Sequence, residues 1–151
     1  MSTQLQHPII IPPEAGRLWE VLGTLIECKI DSEETGGAYA IVEAIVPPQG
    51  GPPAHVHHNE DEIFHVLEGE FEVRCGAETL KAMKGATVVL PRDIPHSFRN
   101  VGAGEGKLLT TITPGGFEQF FAEVSREVRN MPADAMKLME IARKYDVDFL
   151  G

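Results

Sequence analysis

Asp61-Glu62-Ile63-Phe64-His65-Val66-Leu67-Glu68-Gly69-Glu70-Phe71-Glu72-Val73-Arg74-Cys75 is the stretch that decides the architecture. Phe71, Val73 and Cys75 alternate with Glu70, Glu72 and Arg74, so a strand over 70–75 turns apolar groups to one face and charges to the other. Its neighbour over 63–67 is mostly apolar on both faces, and Glu68-Gly69 between them reads as a hairpin turn. Outward from this hairpin, from Ala15 to about Thr113, short runs of Val, Ile, Leu and Thr are each ended by Gly, Pro, Asn or Asp. Further strands are expected over 24–30, 38–46, 87–90, 96–101 and 107–113. Short strands with regular turn signals predict an all-β sandwich or barrel. The Pro/Gly-rich segment Pro47 to Pro53 is short and has strands on both sides, which makes it a shaped loop rather than a linker.

After Pro114-Gly115-Gly116 the apolar period changes from two to three or four. Phe117, Phe120, Phe121, Val124 and Val128 share one helical stripe, and a second helix is expected from Pro132 through Met136, Met139, Ile141 and Ala142 to about Tyr145. Packing against the outside of the sheet is the expected role of both stripes, with a lid over a cavity as the alternative. The chain thus divides into an N-terminal arm (1–14), a β sandwich or barrel (15–114) and a C-terminal helical extension packed on it (115–151).

The 151 residues carry a formal net charge of −10, with 42% apolar and 24% charged side chains, the profile of one soluble globular domain. A domain of this size buries roughly 70% of the surface of its unfolded chain, enough for a core without a disulfide or metal staple. No cluster of Lys or Arg offers a footprint for nucleic acid or an anionic membrane. The run Ile9-Ile10-Ile11 is far shorter than a signal-peptide core or a spanning helix. Cys28 and Cys75 have no CxxC partner and sit among apolar residues, as buried free thiols of a reducing compartment do. A cytoplasmic protein is the expectation.

Four side chains carry the chemistry: His55 and His57, two apart; Glu62, five later; and His96, on a distant strand. Residues i and i+2 of an extended segment project from the same face, so both imidazoles of the His-x-His pair can address one point. If the fold brings the other two strands alongside, three imidazoles and one carboxylate form a ligand set for a divalent first-row metal with positions left open. His58 and His65 have the opposite strand parity and His7 lies in the arm, so these three are expected at the surface or supporting a ligand.

The punctuation around the ligands reads Gly50-x4-His55-x-His57-x4-Glu62-x6-Gly69 and then Gly85-x5-Pro91-x-Asp93-x2-His96-x3-Asn100. Over Gly50 to Asn100 this resembles the two motifs of the cupin superfamily. It departs in two turns: the first glycine is one residue closer to His55 than usual, and Asp93 stands in place of a turn glycine. The resemblance implies a double-stranded β-helix, or jelly-roll barrel, here followed by C-terminal helices. It also implies one divalent metal (iron, nickel, manganese, cobalt, copper or zinc) held by His55, His57, Glu62 and His96 inside the open end of the barrel.

Within that superfamily the chain resembles the small single-domain bacterial cupins related to quercetinases, the flavonol dioxygenases. The residues behind this are Gly51-Pro52-Pro53-x-His55-x-His57-His58-x-x-Asp61-Glu62, Phe64-x-Val66-Leu67-x-Gly69 and Thr113-Pro114-Gly115-Gly116-Phe117-Glu118-x-Phe120-Phe121. This implies a dioxygenase acting on an enolic or phenolic small molecule, with Glu62 as the base that takes the hydroxyl proton. Phe64, Val66 and Phe98 share strand parity with Glu62 or His96 and are expected to line an apolar substrate pocket. Two other readings stay open: a metal-dependent isomerase, epimerase or decarboxylase of a small sugar or oxo-acid, and a non-catalytic small-molecule-binding cupin. A homodimer is expected, formed through sheet edges or through the apolar arm Leu5 to Pro13.

Overall fold

The computed structural model describes residues 5–150; residues 1–4 of the arm and residue 151 of the extension lie outside the described residues. In chain order the elements are β1 (Arg17–Val21), β2 (Thr24–Ile30), β3 (Ala40–Val46), β4 (His55–His57), β5 (Asp61–Glu68), β6 (Glu70–Cys75), β7 (Glu78–Met83), β8 (Thr87–Leu90), β9 (His96–Asn100), β10 (Gly106–Thr113), α1 (Glu118–Glu127), α2 (Ala135–Lys144) and β11 (Val147–Phe149). All pairings are antiparallel. One sheet runs β1-β2-β3-β10-β5-β8 and the other β11-β4-β9-β6-β7. This is the double-sheet jelly roll that the resemblance implies, within the all-β class that the alternation predicts.

The alternation of the β5–β6 hairpin works as read. Phe71 and Val73 are fully buried while Arg74 next to Val73 is exposed, and Gly69 takes a left-handed φ of 91° at the hairpin turn. Phe64, Val66, Val42, Val46, Leu90, Leu108 and Ile112 complete the layer between the sheets. Cys28 and Cys75 are free thiols; Cys28 is buried, and burial pushes its pKa up to about 11.

The two motif departures fall where the backbone is left-handed. Gln49, one residue before Gly50, has φ 66°, and Asp93 has φ 65°. The turns therefore keep a conformation that favours glycine although neither residue is one. Asp93 offsets the strain by donating its backbone N–H to the His57 carbonyl at 2.7 Å and accepting at its carboxylate from His58 Nδ1 at 2.8 Å. Beside Gln49, Gly51 is irreplaceable for a different reason: a Cβ there stands 2.0 Å from the Phe98 carbonyl oxygen, and its φ is 143°. Gly51→Ala is expected to cost about 1–3 kcal/mol through strain and overpacking against β9. A thermal melt that matches wild type would contradict this close approach.

The C-terminal segment departs in part from its sequence reading. In α2 the buried residues are Leu138, Ile141 and Ala142, whereas Met136 is 77% exposed and Met139 39%. The helix starts at Ala135 and its inward stripe is rotated from the one the two methionines suggest. α1 packs on β1 and α2 on β11, a short strand that adds to the edge of the β4 sheet. Glu118, fully buried, accepts backbone N–H groups from Ser32 and Gly116, both at 2.7 Å. That anchors the first turn of α1 and fixes Phe117 just before it.

Candidate metal centre

β4 and β9 bring three histidines together. His55 stands opposite His96 in the ladder, with ring centroids 4.5 Å apart, and His57 follows on the same face, 5.0 Å from His55 and 5.4 Å from His96. Glu62 reaches them from β5 in the facing sheet, so the site bridges the two layers. One ligand atom from each of His55, His57, Glu62 and His96 lies within 4.8 Å of all the others. The residues are 7%, 1%, 9% and 3% exposed.

Two imidazoles are held from behind. His55 Nδ1 donates to the Pro53 carbonyl at 2.8 Å and His57 Nδ1 to Glu60 Oε1 at 2.7 Å, which leaves Nε2 of each ring free to ligate. His57 Nε2 lies 2.6 Å from Glu62 Oε1, yet the pair is not aligned as a hydrogen bond. His57 Nε2 and both ring nitrogens of His96 are buried without a hydrogen-bond partner. Buried polar atoms are nearly always paired. An unpaired nitrogen on each of His57 and His96, beside the free Nε2 of His55 and the Glu62 carboxylate, fits a divalent transition metal, since imidazole with carboxylate is the donor set such an ion takes.

The electrostatics agree with that donor set. Burial opposes charge on Glu62, but the imidazoles of His57, His96 and His55 outweigh it and bring its pKa down to about 2. Burial and its imidazole neighbours push His55 down to about 4, and burial also lowers His96. His57 moves the other way: burial opposes its charge, but the carboxylates of Glu62 and Glu60 raise it to about 9. At pH 7 the metal-free site therefore holds one dissociable proton, on His57, that an ion at Nε2 must displace. Affinity for Co2+ is expected to rise about tenfold per pH unit toward pH 9 and then level off, because above that pH the proton is already gone. Titration calorimetry in buffers of different ionisation heat should count about one proton released per Co2+ at pH 7. A count near zero would contradict the charge assignment of His57.

The C-terminal segment closes around the same ligands. The Phe117 ring stands edge-on to His57 at 4.4 Å, and Phe149 of β11 pairs with His55 of β4, its ring 5.9 Å from the imidazole. Three residues absent from the sequence reading of the site, Glu60, Phe117 and Phe149, thus touch its histidines. In the sequence Phe117 stands out as the start of a helical stripe and as part of the Thr113–Phe121 motif, not as a neighbour of the ligands.

Of the expected pocket residues, Phe64 and Val66 are 1% and 2% exposed within the barrel core. Phe98 is half-buried, with its ring 5.7 Å from Phe64 and 6.1 Å from Phe71. His58 and His65 are exposed; His58 bridges Asp93 and Asp148, and His65 bonds Thr87. His7 is exposed in the arm. An open groove of about 700 Å³ follows Glu72, Arg74, Ser97 and Arg99 of β6 and β9. Its lining also includes His96 and Phe98 of β9. Among the described residues no helix is long and apolar enough to cross a membrane.

Comparison with known proteins agrees with the topology. Residues 42–112 match the cupin domain model. An uncharacterized protein of Methanocaldococcus jannaschii is 32% identical over 79 residues, 52% of this chain and 63% of that protein. The polyketide synthase CurC of Streptomyces cyaneus is 32% identical over 71 residues, 47% of this chain and 46% of that protein. The matches thus span about half to just under two thirds of these relatives. Among solved structures, KdgF from Halomonas sp. superposes with a TM-score of 0.65 at 16% identity, covering 74% of this chain and 99% of that one. The matched segment contains β4 to β9 whole and all four ligand positions, so residues 42–112 form a cupin domain.

Proposed function

We propose that the protein is a metal-dependent dioxygenase of the quercetinase type, acting on an enolic or phenolic small molecule. The observation that carries this reading is Glu62: a buried carboxylate, kept ionised, whose oxygen lies 2.6 Å from His57 Nε2 among the histidines that would hold the metal. His55, His57, Glu62 and His96 would hold the metal, which supplies Lewis-acid polarisation of the substrate hydroxyl. Glu62 takes the proton of that hydroxyl at a carboxylate oxygen. Removing it leaves an electron-rich carbon for dioxygen, the oxidant, both atoms of which enter the product. Phe117 and Phe149 shield the His57 and His55 rings and keep bulk water from the charged intermediate. Phe64, Val66 and Phe98 form the apolar wall proposed to receive the substrate, Phe98 being the half-buried one.

The likeness to a polyketide synthase favours a second reading in which the same proton transfer proceeds without oxygen, as an isomerisation or ring closure of an enolic substrate. Both readings begin with Glu62. Elemental analysis of the purified protein, followed by oxygen uptake with a flavonol and a simple β-diketone, separates them. Metal near one per chain with substrate-dependent uptake supports the dioxygenase. Metal without uptake after reconstitution with iron, nickel, manganese, cobalt and copper in turn overturns it, and product formed from the substrate without oxygen then supports the second reading. The chain is further proposed to pair as a homodimer, which would cover the arm residues Ile9 and Ile10, 41% and 86% exposed; sedimentation tests this.

A further inference from the structure

Glu60 and Glu62 approach opposite nitrogens of one imidazole. Glu60 Oε1 lies 2.7 Å from His57 Nδ1 and Glu62 Oε1 2.6 Å from His57 Nε2. The two contacts differ in kind: the first is an aligned hydrogen bond, the second is not. We infer that Glu60 is a positioning residue for the metal centre, fixing the ring plane of His57 and the tautomer through which it ligates. The inference rests on the metal-site reading, but not on which reaction follows.

Three further observations bear on it. Glu60 is 5% exposed, and among the described residues His57 is its only hydrogen-bond partner. A buried carboxylate is costly unless paired, and the hydrogen bond that pairs this one is to the His57 ring, with Arg92 acting on it through charge alone. It comes from the turn between β4 and β5, three residues after His57, and reaches back to the ring while Phe117 stands edge-on to it. The three histidines are also held unequally. His55 has an aligned backbone carbonyl behind it, neither nitrogen of His96 makes an aligned hydrogen bond, and only His57 is backed by a carboxylate. A carboxylate behind a ligating imidazole raises its basicity and holds its orientation. His57 is therefore the anchoring ligand of the set.

The test uses Co2+ alone, with affinity measured by chelator competition on the full chain. Glu60→Gln keeps an acceptor oxygen but loses the charge; Glu60→Leu removes both. Binding is expected to weaken less than about tenfold in the Gln variant and about 10- to 100-fold in the Leu variant. Nitrogen-15 spectra of the Zn2+-loaded protein should show Nδ1 of His57 protonated in wild type and the Gln variant, with that signal lost or exchanging in the Leu variant. If Glu60→Leu does not fold, Glu60→Asp, whose carboxylate stops one methylene short of Nδ1, replaces it with the same expected direction. A merely structural Glu60 would lower the melting temperature and leave Co2+ affinity and the His57 tautomer as in wild type, which would overturn the inference. A wild-type protein that binds no Co2+ would overturn the metal site and the role of Glu60 together. Oxygen consumption is not a readout, so failure of the dioxygenase reading leaves this result standing.

Discussion

Glu62→Gln should lower turnover by roughly 10²- to 10⁴-fold, the range for loss of a positioned general base. Gln is nearly isosteric, and its carbonyl oxygen can still face a metal, but it cannot take a proton at neutral pH. The loss should therefore appear in kcat even when the assay is saturated with metal and the bound metal is counted directly. Structure should survive: Glu62 sits at the start of β5, whose ladder to β10 and β8 runs through backbone groups that the substitution leaves alone. Circular dichroism and metal content then serve as controls for the kinetic measurement. Full turnover in this variant would refute the base assignment. A fall in turnover that simply tracked lost metal would reduce Glu62 to a ligand.

The four ligands were legible in the sequence because each rests on a local rule. His55 and His57 share a face by strand parity, and Glu62 and His96 fall at motif spacings from turn residues that the fold uses as turns. The hairpin was legible for the same reason, since Phe71 and Val73 alternate with charges. Glu60 was not, because a carboxylate in a turn looks solvated until the tertiary fold sets a histidine and an aromatic ring beside it. β7 was missed because five of its six residues are exposed, so polar and apolar positions do not sort by parity. β11 is three residues long and is a strand only by pairing with β4, a contact about 90 positions away in sequence. In α2 the methionines outweighed Leu138 in setting the helical phase, but flexible, half-exposed Met side chains hold no fixed place in a stripe.

His96→Ala is expected to separate metal affinity from fold stability. Structural metal sites with four ligands gain about 10–16 kcal/mol, so one ligand accounts for about 3 kcal/mol, on the order of 10² in affinity. Deleting most buried side chains would destabilise the fold as well. Here the deleted ring carries two buried nitrogens with no partner, each an unfavourable desolvation in the metal-free protein. Removing them offsets much of the cost of the cavity, and the metal-free variant should melt within a few degrees of wild type. His57→Ala should behave differently. It leaves Glu60 and Glu62 buried without the imidazole between them, and orphaning a buried charge costs about 3–5 kcal/mol before any metal is added. Chelator competition and thermal melts on the two variants test both halves. If His96→Ala kept wild-type affinity, the ligand set would be wrong; if it unfolded while His57→Ala did not, the assignment of His57 as the anchored ring and His96 as the unsupported one would be reversed.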